Sequence, residues 1–138
     1  MGIIIHSILE KFEDYAVVEL THGTEKIVAQ VWGVNDTIKN KIGKELIVEM
    51  NYGQLLAIKL IKDFNDSDAS ISQKDNAYIL KGRVHQIIKT EDDFLIDLYL
   101  QTGPEFLLIS ESIIGDLELK EGQGIELEVS DLKFFPKN

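Results

Sequence analysis

Residues 38–50 read Ile-Lys-Asn-Lys-Ile-Gly-Lys-Glu-Leu-Ile-Val-Glu-Met, and residues 117–129 read Leu-Glu-Leu-Lys-Glu-Gly-Gln-Gly-Ile-Glu-Leu-Glu-Val. Both go from a short stretch with apolar residues three or four apart, through a glycine, into strict alternation. The two stretches are 79 residues apart, with Lys41, Gly43 and Glu49 matching Lys120, Gly122 and Glu128. Further out in the same register, His6 answers to His85, Ile8 to Ile87 and Asp14 to Asp93. Apolar character is kept at Tyr15/Phe94, Val17/Ile96, Ile27/Phe106, Val34/Ile113, Leu46/Ile125, Val48/Leu127 and Met50/Val129. A shared register for identities and apolar positions implies an internally duplicated small domain.

The pattern outside the opening stretches is that of strands. In the first half, Ile3–Leu9, Tyr15–Leu20 and Lys26–Trp32 read as strands, with a hairpin loop at Thr21–Thr24. Ile27, Ala29 and Val31 share one face of the third. Asp36 is placed to cap a helical turn that Gly43 ends. Leu46, Val48 and Met50 point inward from a fourth strand, and Leu55–Ile61 makes a fifth after the turn Asn51–Gly53. The second half follows the same plan: Ile79–Ile88, Phe94–Leu100, Glu105–Ser110, a helical turn within Ser112–Gly122, Gly124–Val129 and Leu132–Phe135. Tyr15 and Phe94 read as core positions. The register can slip by one at Thr102–Pro104. The order strand-strand-strand-helical turn-strand-strand predicts an all-β chain of two tandem five-stranded OB-type barrels. Their expected bounds are residues 1–62 and 78–138, and the two are expected to superimpose. Asp63–Asn76, rich in Asp, Asn and Ser, reads as an acidic linker. A lone 60-residue unit is marginal, so the two must lean on each other or on a second copy of the chain.

Composition limits the function. The net charge is −10, and the acidic excess falls mostly on residues 78–138, with 6 basic against 12 acidic groups. Such a field repels nucleic acid, anionic lipid and small oxyanions, and attracts basic proteins. With no cysteine there is no disulfide framework, thiolate metal site or Cys nucleophile. No apolar run reaches the length of a membrane span, and no secretory leader is evident, so the expected location is the cytoplasm. No nucleophile motif, nucleotide loop or zincin signature is present, so no catalytic residue, metal or cofactor is expected. Asp63, Asn65, Ser67 and Asp68 imitate a calcium loop, but Asp68 stands where glycine is needed and Lys74 where glutamate is. His6, His22 and His85 lack metal-ligand spacing.

The second half resembles the Mop (TOBE-like) family of molybdate-binding OB-type domains. The resemblance rests on Leu80-Lys81-Gly82-Arg83-Val84, on Ile109-Ser110-Glu111-Ser112, and on Leu117–Gly122; the first half shows it through Ile42-Gly43-Lys44-Glu45. A tandem pair in a chain of this length is similar to a di-Mop protein. The resemblance implies that an oxyanion is held by two segments: a Ser-Ala-Arg-Asn stretch before the Leu-x-Gly-x-Val strand, and a Lys-Ala-Ser/Thr stretch near the last strand. Here these are Lys74–Ile79 and Ser130-Asp131-Leu132. A dianion needs cationic and N–H donors, and Asp131 repels it.

Two features point to protein binding instead. Glu91, Asp92 and Asp93 are consecutive in a predicted hairpin, suited to steer a basic partner. Trp32 precedes the helical turn, either plugging the barrel end or anchoring a partner. The expected function is therefore a non-catalytic cytoplasmic binding module that engages a basic protein through Glu91, Asp92, Asp93 and Trp32. The alternative is a small-ligand binder of oxyanion type, similar to di-Mop with altered specificity.

Overall fold

The computed structural model describes residues 1–33, 35–100, 103–115 and 117–137. Eleven strands run β1 (Gly2–Lys11), β2 (Tyr15–His22), β3 (Glu25–Trp32), β4 (Glu45–Asn51), β5 (Leu55–Ile61), β6 (Ser70–Lys74), β7 (Ala77–Lys89), β8 (Asp93–Leu100), β9 (Gly103–Ser110), β10 (Gly124–Ser130) and β11 (Lys133–Pro136). Helical turns α1 (Asn35–Asn40) and α2 (Glu111–Ile114) follow β3 and β9.

The two halves exchange their last strands. The first barrel closes in the order β1-β2-β3-β11-β4, so its fifth strand comes from the chain's C-terminal end. There β11 lies parallel to β3, pairing Lys133 with Gln30 and Phe134 with Val31, and antiparallel to β4. The second sheet runs β5-β10-β7-β8-β9, and its fifth strand, β5, comes from the first half. Each half thus has the expected OB-type order, but neither residues 1–62 nor residues 78–138 complete a unit alone. A strand's alternation is satisfied by any sheet that offers the right face, and links as short as Tyr52–Gln54 and Asp131–Leu132 carry the chain onward rather than back. On the second sheet, Glu126 sits opposite Lys59 of β5 and Lys81 of β7, at 3.1 and 3.8 Å, across three adjacent strands.

The repeat is visible in the backbone. Gly43 and Gly122 both take positive φ, +81° and +88°, with open space where a Cβ would stand. Gly43 N donates to Ile5 O and Gly122 N to Val84 O, the same bond in both halves. His6 and His85 are the extra residues of equivalent β-bulges, because the register skips them opposite β2 and β8. A second bulge in β1, at Leu9, has no counterpart in β7. It shifts β2 and β3 by one against β8 and β9. Val18, Leu20 and His22 therefore correspond to Ile96, Leu98 and Leu100, and Ile27 corresponds to Glu105. This corrects the pairings Tyr15/Phe94, Val17/Ile96 and Ile27/Phe106: Phe106 is 59% exposed, and Tyr15 and Phe94 are half-buried.

One apolar cluster joins Ile5, Val18 and Val48 of the first half to Leu80, Leu98 and Leu127 of the second, with Phe134 fully buried in it. The two units thus share a core, as their size requires. The stretch read as a linker is also ordered. It holds a 3-10 turn at Asp66–Asp68 and β6, which pairs with β7 and buries Ala69 and Ile71. Its Asp and Ser content hid one strand and three buried apolar residues, Phe64 being the third. Asp36 falls inside α1 rather than capping it, and α2 begins at Glu111.

Candidate functional site

The exchange brings two short crossover segments side by side. Gly53 N donates to Ser130 O at 2.8 Å, Ser130 N to Gln54 O at 2.9 Å, and Gln54 N to Ser130 Oγ at 3.0 Å. Asn51–Gly53 and Ser130–Leu132 are equivalent in the repeat, so equivalent segments of the two halves meet here. A Cβ on Gly53 would stand 2.8 Å from Asp131 Oδ2, so the carboxylate of one crossover fits against the bare backbone of the other.

A cavity of about 190 Å³ opens beside Asp131. Its walls are β3 (Val28–Gln30), the β6–β7 hairpin (Gln73, Asn76, Tyr78) and the crossover (Asp131, Leu132). The geometry follows from backbone accounting. β11 covers β3 only at Gln30 and Val31, which leaves the groups of Val28 beyond it unpaired on that edge. Side chains take the missing strand's place: Val28 N donates to Gln73 Oε1 at 2.9 Å, and the Tyr78 hydroxyl donates to Val28 O at 2.6 Å. The hairpin is thereby fixed against the first barrel. Gln30 Oε1 accepts from Trp32 Nε1 at 3.0 Å, which orients that amide too. Asp131 holds a left-handed φ of +52°, and burial together with its charge pushes the Tyr78 phenol up from its ordinary pKa. The polar lining is three amides, a phenol and a carboxylate, with no Lys or Arg.

This cavity unites the two segments to which the Mop resemblance assigns the ligand. Asn76 and Tyr78 come from the first, Asp131 and Leu132 from the second. The protein-binding candidates are dispersed. Trp32 is half-buried in a stack of Phe12, Tyr15, Trp32 and Phe135, with successive centroids 4.5, 4.8 and 5.9 Å apart, on the face of β2 and β3 opposite the buried Ala16 and Val31. Glu91 and Asp92 lie in the β7–β8 turn of the other sheet and Asp93 opens β8; Asp92 O accepts from Glu111 N at 3.0 Å. Glu91 and Asp92 are exposed and Asp93 is half-buried.

Among the described residues no group of three or more His, Asp or Glu could hold a metal ion. His6 Nε2 bonds Thr21 Oγ1, and His85 Nδ1 lies 3.2 Å from Asp97 Oδ2. His22 is fully buried, and burial pushes its pKa down to about 4. Asp66 of the calcium-like stretch is taken by Arg83, at 2.7 Å. Gln30 and Gln73 escaped the sequence reading, because glutamines scattered over two strands carry no spacing signal.

No protein-family model matches the chain, and no curated protein matches it. Among solved structures, one is the cytoplasmic molybdate-binding protein ModG with molybdate bound, at 18% identity and a TM-score of 0.60, covering 96% of this chain and 92% of that one. The chain shares its fold with ModG. The likeness runs nearly end to end and supports the Mop-like OB architecture of both halves. None of the helices among the described residues is long and apolar enough to cross a membrane.

Proposed function

We propose that the protein is a non-catalytic cytoplasmic binding protein for a small polar molecule, held in the junction cavity beside Asp131. One observation carries the reading: the two segments aligned with the ligand-binding stretches of Mop domains meet in one cavity. The end-to-end likeness to ModG supports a ligand site on this frame. The lining argues for a changed ligand. Three amides and a phenol serve a neutral group, Asp131 favours a cationic one, and a tetrahedral dianion finds a carboxylate where it needs a cation. A volume of about 190 Å³ suits a small molecule and falls below the ~300 Å³ of a drug-sized pocket.

Two titrations test this. Molybdate, tungstate and sulfate are expected to give no binding heat at physiological salt. A panel of small amines and guanidinium compounds is expected to contain a ligand that raises the melting temperature of the wild type, with the rise lost in Asp131→Asn. Micromolar molybdate binding would overturn the altered specificity. A panel that stabilises wild type and Asp131→Asn alike would remove the cavity as the site.

A further inference from the structure

We propose that the open edge of β9 accepts an extended segment of a basic partner protein as an added strand. The first barrel closes where β11 pairs with β3, but β5 makes no ladder with β9, and the second sheet ends on these two strands. The positions equivalent to Lys133↔Gln30 and Phe134↔Val31 are Gln54, Leu108, Leu55 and Ile109, and all four line a cleft of about 540 Å³. The cleft is the unclosed seam. A side chain spans it: the Tyr52 hydroxyl donates to Leu108 O at 2.9 Å.

The edge beside the seam is apolar as well as open. Phe106 and Leu108 alternate along the outer face of β9 at 59% and 57% exposure, and Leu56 on β5 is 50% exposed. An exposed strand edge with an alternating apolar row is a template for another strand. Main-chain bonds supply affinity and every second side chain supplies selectivity.

Charge selects the occupant. Asp93 lines the seam, exposed Glu91 and Asp92 precede it in the β7–β8 turn, and Glu49, 3.8 Å from Lys137, lines a second cavity next to Phe106. A second copy would bring the same acidic edge, on a chain of net charge −10, against this one. A segment alternating apolar residues with Lys or Arg is complementary on both counts. The site is separate from the junction cavity, on the other seam.

The test uses a labelled eight-residue peptide of alternating Val and Lys, read by fluorescence anisotropy. It is expected to bind saturably, at least tenfold more tightly than the same peptide with Glu for Lys. N-methylation of every second amide is expected to cost at least tenfold in one register and little in the other, because a strand pairs through one edge. Phe106→Lys and Leu108→Lys alter exposed side chains, so they should fold normally by circular dichroism and bind at least tenfold more weakly. Asp131→Asn should bind the peptide as the wild type does, which separates this proposal from the small-ligand reading. Equal binding by both N-methylated registers would mean charge attraction without strand pairing and would overturn the proposal. So would wild-type affinity in the two lysine variants, or a wild-type dimer that Phe106→Lys dissolves while no peptide binds.

Discussion

His22 gives the sharpest stability prediction. It closes β2, fully buried, at the position that Leu100 fills in the second half. Burial lowers its pKa from 6.5 to about 4. The unfolded chain therefore binds a proton on this side chain between those values and the folded chain does not. Stability from this group is fully present above pH 6.5 and is lost as pH falls through about 4. At roughly 1.4 kcal/mol per pH unit, the loss is about 3 kcal/mol, a large share of the ~5–15 kcal/mol that holds a domain together. His22→Leu supplies the residue of the equivalent position and removes the titration. Urea unfolding of both proteins from pH 7.5 to 4 should show the variant gaining about 3 kcal/mol relative to wild type across that range. If the two curves stay parallel, His22 does not titrate with folding, and the closed packing around it is wrong.

Other perturbations test other parts of the frame. Burial raises the pKa of Glu105, whose Oε1 accepts from Met50 N at 3.0 Å. Its contribution is therefore present below the ordinary glutamate value of 4.5 and lost as pH rises through the folded value. Glu105→Gln should be more stable than wild type at pH 7, and the gain should vanish as pH falls toward 4.5 in parallel denaturation curves. Gly43→Ala and Gly122→Ala should each cost about 1–2 kcal/mol by thermal unfolding, because both sites need a left-handed φ. Phe134→Ala should cost about 3–5 kcal/mol and lower hydrogen-exchange protection first at Val31 and Met50 of the first barrel. Phe135→Ala should change the emission of Trp32, which it stacks on at 5.9 Å. A Trp32 that does not respond would mean that β11 belongs to the second sheet after all.

What the sequence disclosed follows from what local pattern can encode. Alternation at Leu46–Met50 and Ile125–Val129, and the glycines at 43 and 122, are local constraints, and the structure meets them. Strand exchange is not local: β5 and β11 read the same whichever sheet they complete. A constant offset also hid the extra bulge at Leu9, which makes Glu105 the equivalent of Ile27 and turns an apparent apolar pair into a buried carboxylate. The linker reading failed because composition averages over Phe64, Ala69 and Ile71. The cavity was half legible, since the resemblance named both of its segments. Their meeting depends on side chains of Gln73 and Tyr78 replacing a strand on β3, which no spacing rule reports.

The two seams also differ at two equivalent residues. Asn51 turns its Oδ1 back to Tyr52 N at 2.8 Å, a bond within its own crossover. In the same place Ser130 reaches across to the other crossover, its Oγ accepting from Gln54 N while its own N–H donates to Gln54 O. Both backbone groups of Gln54 are thereby committed to the crossover. Its counterpart Lys133 pairs with Asn51 on one side and with Gln30 on the other, and the first barrel closes. The second does not, and Tyr52, equivalent to Asp131, bridges the gap with its hydroxyl instead. Asp131 lies against Gly53 and faces the small polar cavity. One pair of equivalent positions thus places a carboxylate at the closed seam and a phenol at the open one. The same frame offers a polar cavity on one side and, on the other, a strand edge that a tyrosine hydroxyl bridges.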